Sequence, residues 1–246
     1  MKQVRFIYYL LACGLTACGE NANKTPTSTK MECQSAVSAL DIRDNGKGRD
    51  QVRFIDLSSF KPSPTMIGYG PSANPKAEIT IIDGTYYLTQ PQGDSTHTQS
   101  IPSTGQNAVF LITSAPETWM SGGELPEIEG LAALSSAIST QARKLGCNET
   151  AVFPFKVKAY ARSLTWSITG SPKGMKGDLN NVEVTIIGIY DNTSTPRNAM
   201  ISGMSIHPHL YIKSENISGH LNAIELAPGA SLYVPGQLQQ GNENEK

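Results

Sequence analysis

The chain has 246 residues, enough for one large domain or two small subdomains with a real core. Its 20 lysines and arginines against 21 acidic residues leave a net charge of −1, which provides no cation excess to neutralise phosphates and argues against a nucleic-acid partner. The 22 glycines and 15 prolines point to many turns and β-structure rather than a helical bundle.

The first residues read as a targeting segment. Lys2 and Arg5 precede an apolar run from Phe6 to Ala17, long enough for a signal-peptide core and too short to span a bilayer. The run ends in Leu15-Thr16-Ala17-Cys18, which resembles a bacterial lipobox, so residues 1–17 are expected to be a lipoprotein signal and Cys18 the lipidated residue. Acyl chains there would tie the protein to a membrane. Gly19, where sorted lipoproteins kept at the inner membrane resemble one another in carrying aspartate, implies an outer-membrane, periplasm-facing location. Residues 18–31 are polar without apolar period and read as a tether. Export leaves Cys33 and Cys147 as one possible disulfide pair. Neither belongs to a CxxC pair, which argues against a thiolate metal site.

The domain expected over residues 32–236 has a mixed α+β, or α/β, pattern. Glu78–Gln90 is β-rich, with Asp83-Gly84 as a turn between two strands. Asn107–Ala115 reads as a buried strand. Pro126–Gly146 is the one strong helix, with Ile128, Leu131, Leu134, Ile138, Ala142 and Leu145 at helical spacing. Glu127 and Glu129 fall in its expected first turn, Arg143 and Lys144 in its last, and Gly146 at its end, as the helix dipole and C-cap favour. Ala151–Thr169 supplies one long or two short strands, and Val182–Asp191 another. The expected architecture is two mixed or antiparallel sheet subdomains, about 32–150 and 151–236, with one main helix. The second is expected to be a small barrel-like sheet, and residues 237–246 a polar tail.

Three of the four histidines, His207, His209 and His220, fall within Ile206–Asn222, IHPHLYIKSENISGHLN. On a strand His207 and His209 share a face. If the chain turns near Ser214–Glu215, His209 and His220 fall nearly opposite one another, at cross-strand distances that suit imidazoles converging on one ion. Three neutral imidazoles with an open position describe a catalytic-type zinc site, and copper or nickel would accept the same donors. Three surface histidines without a ligand remain the alternative at this level. Pro208 between the pair suits an edge strand or a bulge.

HPHLYIKSENISGH resembles the metal motif of bacterial α-acetolactate decarboxylases: H-x-H, ten residues, then a third histidine after glycine. NNVEVTIIGIY is similar to that family's preceding strand, SGMSIHPHLYI to its entry and SGHLNAIELAPGASLYV to its exit strand. The similarity is strongest over residues 150–235 and extends more weakly through the helix, FPFKVKAYARSLTWSITGSPKG and the Asp83-Gly84 turn. It implies a zinc ion on His207, His209 and His220, which in that family acts as a Lewis acid while acetolactate is decarboxylated to acetoin. It also implies a glutamate after the DG turn, an arginine before the S/V-P-K loop and an acidic residue near the C-terminus. Here those first two positions fall at Thr85 and Thr169, and threonine is neither a carboxyl acid–base nor a fixed cation. Arg162 and Arg197 are alternative cations, and Glu243 or Glu245 alternative carboxylates. The resulting expectation is an exported, lipid-anchored, zinc-binding and non-decarboxylating protein on this fold, with a possible small-molecule ligand at the metal and no assigned catalytic residue. A zinc-dependent decarboxylase of acetolactate or a related hydroxy-keto acid and a structural envelope lipoprotein are the alternatives.

Overall fold

The computed structural model describes residues 33–41, 54–74, 76–168, 175–193 and 203–236. In chain order its strands are β1 (Ser38–Asp41), β2 (Ile55–Asp56), β3 (Ile67–Pro71), β4 (Glu78–Ile82), β5 (Thr85–Gln92), β6 (Ser95–Ile101), β7 (Asn107–Ala108), β8 (Phe110–Ser114), β9 (Trp119–Leu125) and β10 (Ile128–Glu129). The helix α1 (Leu131–Lys144) follows, then β11 (Val152–Ser167), β12 (Lys176–Asp191), β13 (Ile206–Ile212), β14 (Ile217–Leu226) and β15 (Ala230–Pro235). The expected signal, Cys18, the tether, Thr169, Arg197, Glu243, Glu245 and the tail lie outside the described residues.

The strands form a six-stranded sheet, β1-β8-β3-β4-β5-β6, a seven-stranded sheet, β10-β14-β13-β12-β11-β15-β9, and the small pair β2-β7. All named strand pairs are antiparallel, so the described residues are mostly β with one α-helix, an α+β arrangement. The six-stranded sheet is open. In the seven-stranded sheet β11 is long enough to pair with β12 along one side and with β15 and then β14 along the other, which joins β11 to β14 in a ring of four strands. Strands β9 and β10 pair within the seven-stranded sheet, and α1 shares its hydrophobic core.

The helix is shorter at its start than its periodicity implies. Ile128 and Glu129 are extended and pair with Leu226 and Glu225. Gly130, at φ 92°, turns the chain into α1, whose first turn holds no acidic residue. Edge pairing with β14 therefore outweighs the helical pattern of this stretch, while Arg143 and Lys144 do close the helix. Leu131, Leu134, Ile138 and Ala142 bury one stripe in the core that also holds Phe153, Phe155, Val157 and Ile186, each of the three larger side chains contributing on the order of 1.5–3 kcal/mol.

Period-two alternation gives β12 and β13 a second role. Ile206, Leu210 and Ile212 enter the helix-side core, whereas Ile187 and Ile189 face Ile67, Tyr69, Ile82 and Ile112 of the first sheet. The sheets thus pack face to face. At one end of this interface Lys156 Nζ is buried and bonds Asp83 Oδ1 at 2.7 Å from beside the Trp119 ring. Asp83 sits in the turn between β4 and β5 at φ 50°, and Gly84 at φ 78° approaches the Ser63 backbone so closely that a Cβ would lie 2.4 Å from Ser63 O. The Asp-Gly pair is read correctly as a turn, and its carboxylate also pins one sheet to the other.

Cys33 and Cys147 are bridged, as expected for the single pair, and join the N-terminal segment to the end of α1 across 114 residues of sequence. Loop-closure arguments give such a bridge about 2–5 kcal/mol. Replacing both cysteines by serine is expected to lower the unfolding free energy by that amount in urea titrations, and reductant is expected to do the same to the wild type only.

Candidate metal centre

The site starts with the β13–β14 hairpin. Its turn is closed by Asn216 at φ 50°, whose N–H donates to Lys213 O, and its register places His209 directly opposite His220. His207, two residues before His209, projects from the same face. Pro208 is accommodated although β13 is an inner strand. It pairs with Gly188 of β12, and β14 joins only from His209 onward, so no ladder bond is asked of its missing N–H. Gly188 is needed at that crossing: a Cβ there would lie 2.6 Å from Phe155 Cζ and 2.8 Å from His207 O.

The three imidazoles converge. Their ligand atoms lie within 4.8 Å of one another, and ring centroids are 4.2 Å apart for His209–His220, 5.1 Å for His207–His220 and 5.3 Å for His207–His209. His209 is fully buried, while His207 and His220 are partly exposed. Approach to the trio is therefore from the His207/His220 side. Tyr69 of β3 closes the opposite side, stacked on His209 at 4.3 Å and 17° and tilted against His207 at 5.1 Å. Burial pushes the Tyr69 phenol well above its ordinary range.

The first sheet adds what the sequence reading missed. Glu78, the first residue of β4, is completely buried. Its Oε2 lies 3.3 Å from His220 Nδ1 and its Oε1 3.9 Å from His209 Nε2. Thr80, on the same face of β4, places Oγ1 3.5 Å from His209 Nδ1. Thr85 pairs with Ile82 on the far side of the Asp83-Gly84 turn, and the carboxylate beside the histidines comes from five residues before that turn. The position of Thr85 is thus no measure of whether the site has an acid. Of the proposed substitute cations, Arg162 is engaged by Glu127 in an exposed ion pair. The sequence did carry a signal for Glu78: an acidic residue opening the strand EITII, whose five residues are all buried, is out of place unless something polar faces it.

The trio fits a divalent cation. His209 Nε2 is buried without a hydrogen-bond partner, and leaving such an atom unsatisfied costs about 1–3 kcal/mol. Burial first, then the neighbouring His220 and His207, hold the His209 pKa well below its ordinary value. The neutral ring, the form a metal ligand requires, is thereby favoured, and its Nε2 has no hydrogen-bond partner.

No family model and no curated protein matches the chain by sequence. Solved structures do match by shape. Acetolactate decarboxylase from Bacillus subtilis subspecies spizizenii superposes with a TM-score of 0.54 at 13% identity, covering 73% of this chain and 75% of that one. The chain has an acetolactate decarboxylase-like fold. The α-acetolactate decarboxylase of Bacillus subtilis strain 168 gives 0.54 at 15% identity over 77% and 82% of the two chains. A Staphylococcus aureus protein of unknown function, similar to α-acetolactate decarboxylase, gives 0.53 at 11% over 77% and 78%. At these identities the decarboxylase likeness concerns the fold.

The depressed His209 pKa has a consequence for stability. Unfolded, the imidazole titrates near 6.5; folded, it titrates well below. Between those values the unfolded chain binds a proton that the folded chain does not, so stability present above about pH 6.5 is lost as pH falls toward the folded value, by at most about 1.4 kcal/mol per pH unit. Urea titrations of chelator-treated protein between pH 7.5 and 5 are expected to show this slope, and His209→Asn to flatten it. An equal slope in the variant would assign the loss to other groups.

Proposed function

We propose that this protein is a metal-dependent enzyme acting on a small hydroxy-keto acid of the acetolactate type, with His207, His209 and His220 holding the ion and Glu78 handling the proton. The observation that carries the reading is the completely buried Glu78 carboxylate 3.3 Å from His220 Nδ1, within a three-imidazole cluster that contains a buried nitrogen lacking a hydrogen bond. Zinc is the proposed ion, since three imidazoles suit it.

When bound, the cation supplies Lewis acidity toward substrate oxygen atoms. The protein's own groups supply the rest. In decarboxylation the bond to the departing carboxylate breaks, its electron pair stays on the carbon skeleton, and one proton must be delivered there as carbon dioxide leaves. Glu78 is the acid within reach, held at the cluster by its place at the head of β4. A carboxyl group positioned in this way serves proton transfer, a role contributing about 10²–10⁴-fold. Tyr69 bars water from the inner face, so that substrate meets the cluster only from the side of His207 and His220. Lipid anchoring through Cys18 and a periplasm-facing location belong to the same proposal and rest on the lipobox-like Leu15–Cys18.

A second reading, a non-decarboxylating metal or ligand binder, is favoured by one observation: Arg162, a cation available for a substrate carboxylate, is committed to Glu127. Acetoin formation from acetolactate separates the two. The wild type is expected to purify with about one equivalent of divalent metal and to form acetoin. Glu78→Gln is expected to keep the metal and lose about 10²–10⁴-fold in rate, whereas the triple His→Ala variant loses both. Metal without turnover would leave the binder; a wild type that takes up no metal would end both readings.

A further inference from the structure

Beside Glu78, the inner face of the first sheet carries buried polar side chains that the proposed chemistry does not use. Thr89 of β5 lies directly opposite Glu78 of β4 in register, and Thr98 of β6 directly opposite Thr89. All three are buried. Thr89 Oγ1 lies 2.8 Å from Thr98 Oγ1 and 2.7 Å from Ser218 Oγ. Ser218 is buried on β14, two residues before His220, and therefore projects from the same face of that strand. Two parallel rungs thus cross from sheet to sheet, Glu78 against His220 and Thr89 against Ser218. A third tie lies at the hairpin turn, where Asn216 Nδ2 donates to Thr98 O at 2.8 Å.

Resting on the metal reading of the neighbouring rung, we propose that the Thr98–Thr89–Ser218 hydroxyl chain sets where His220 stands against Glu78, and that Thr89 is its positioning residue. A hydroxyl has one proton and two lone pairs, so Thr89, the middle member, can join both others in one continuous run. A methyl in its place would leave two buried hydroxyls short of a partner and remove the polar fastening between β5 and the histidine strand. Because β13 and β14 pair at His209–His220, a shift of β14 moves His220 relative to the more deeply seated His209. The chain thus acts on the spacing of the cluster without touching the ion, as supporting hydrogen bonds around metal ligands do.

The test uses the full chain carrying Thr89→Val, which keeps the shape and removes the hydroxyl, beside Thr89→Ser, Ser218→Ala and the double variant Thr89→Val/Ser218→Ala. In the chelator-treated protein, hydrogen exchange over residues 206–226 is expected to accelerate about tenfold in Thr89→Val and to return toward wild type in Thr89→Ser. Cobalt(II), added as the probe ion, is expected to bind about tenfold more weakly to Thr89→Val, with a changed visible spectrum. The double variant is expected to be no worse than the worse single one, since both substitutions remove the shared Thr89–Ser218 bond. Unchanged exchange and an unchanged cobalt spectrum in Thr89→Val would overturn the proposal, as would strictly additive losses. Should Thr89→Val not fold, Ser218→Ala cuts the same bond from the other strand and decides by the same readouts. A wild type that binds no cobalt would sink the metal reading, while hydrogen exchange would still show whether Thr89 holds the hairpin.

Discussion

A carboxylate buried between two sheets is the constraint around which this structure is arranged. Placing Glu78 where no water reaches it is costly unless polar groups meet it, and the imidazoles that do so stand on the other sheet. The packing of the sheets is therefore more than apolar adhesion. One end of their interface is aliphatic, with Ile67, Ile82, Ile112, Ile187 and Ile189. The other end is polar, with Glu78, Thr80 and Thr89 facing His209, His220 and Ser218. The aliphatic end adds apolar burial to the interface, and the polar end adds directional contacts between the sheets.

The polar end is built on strands rather than loops. Every group in the cluster stands on a strand with neighbours on both sides: Tyr69 on β3, Glu78 and Thr80 on β4, His207 and His209 on β13, His220 on β14. Sites built on such elements hold geometry more closely than loop-borne ones. The local exceptions serve the same end. Pro208 is tolerated where β14 has not yet begun to pair, and Gly188 leaves room for the Phe155 ring beneath the His207 carbonyl. Lys156 and Asp83 then fasten the sheets away from the histidines, so the hairpin is not the sole tie between them.

Much of this is legible in the amino-acid sequence. The H-x-H pair puts two imidazoles on one strand face, and the turn residues between Ile212 and Ile217 put His220 across from His209. Asp83-Gly84 marks a turn, and two cysteines leave one pairing. What escapes is long-range. Ile128 and Glu129 fit a helical pattern but form an edge strand, because β14 lies beside them in space and not in sequence. Glu78 escapes for a related reason. The pattern within EITII shows a strand buried on both faces, yet nothing local says that the face of Glu78, Thr80 and Ile82 looks onto histidines more than a hundred residues away. The likeness to a family drew attention to the position after the Asp-Gly turn, which is Thr85 here, whereas the buried carboxylate stands before that turn.

The same geometry explains why protonation of His209 is disfavoured. The ring is sealed by Tyr69 on its face, by Thr80 at Nδ1 and by the other two imidazoles, leaving Nε2 directed into the cluster. His207 and His220 keep contact with solvent and can exchange partners there. An ion entering from the open side would therefore meet two adaptable donors first and one preset donor last. The burial that raises the cost of protonating His209 also leaves its Nε2 without a hydrogen-bond partner. Burial by the first sheet, together with the two neighbouring imidazoles of the hairpin, is thus what disfavours protonation of His209.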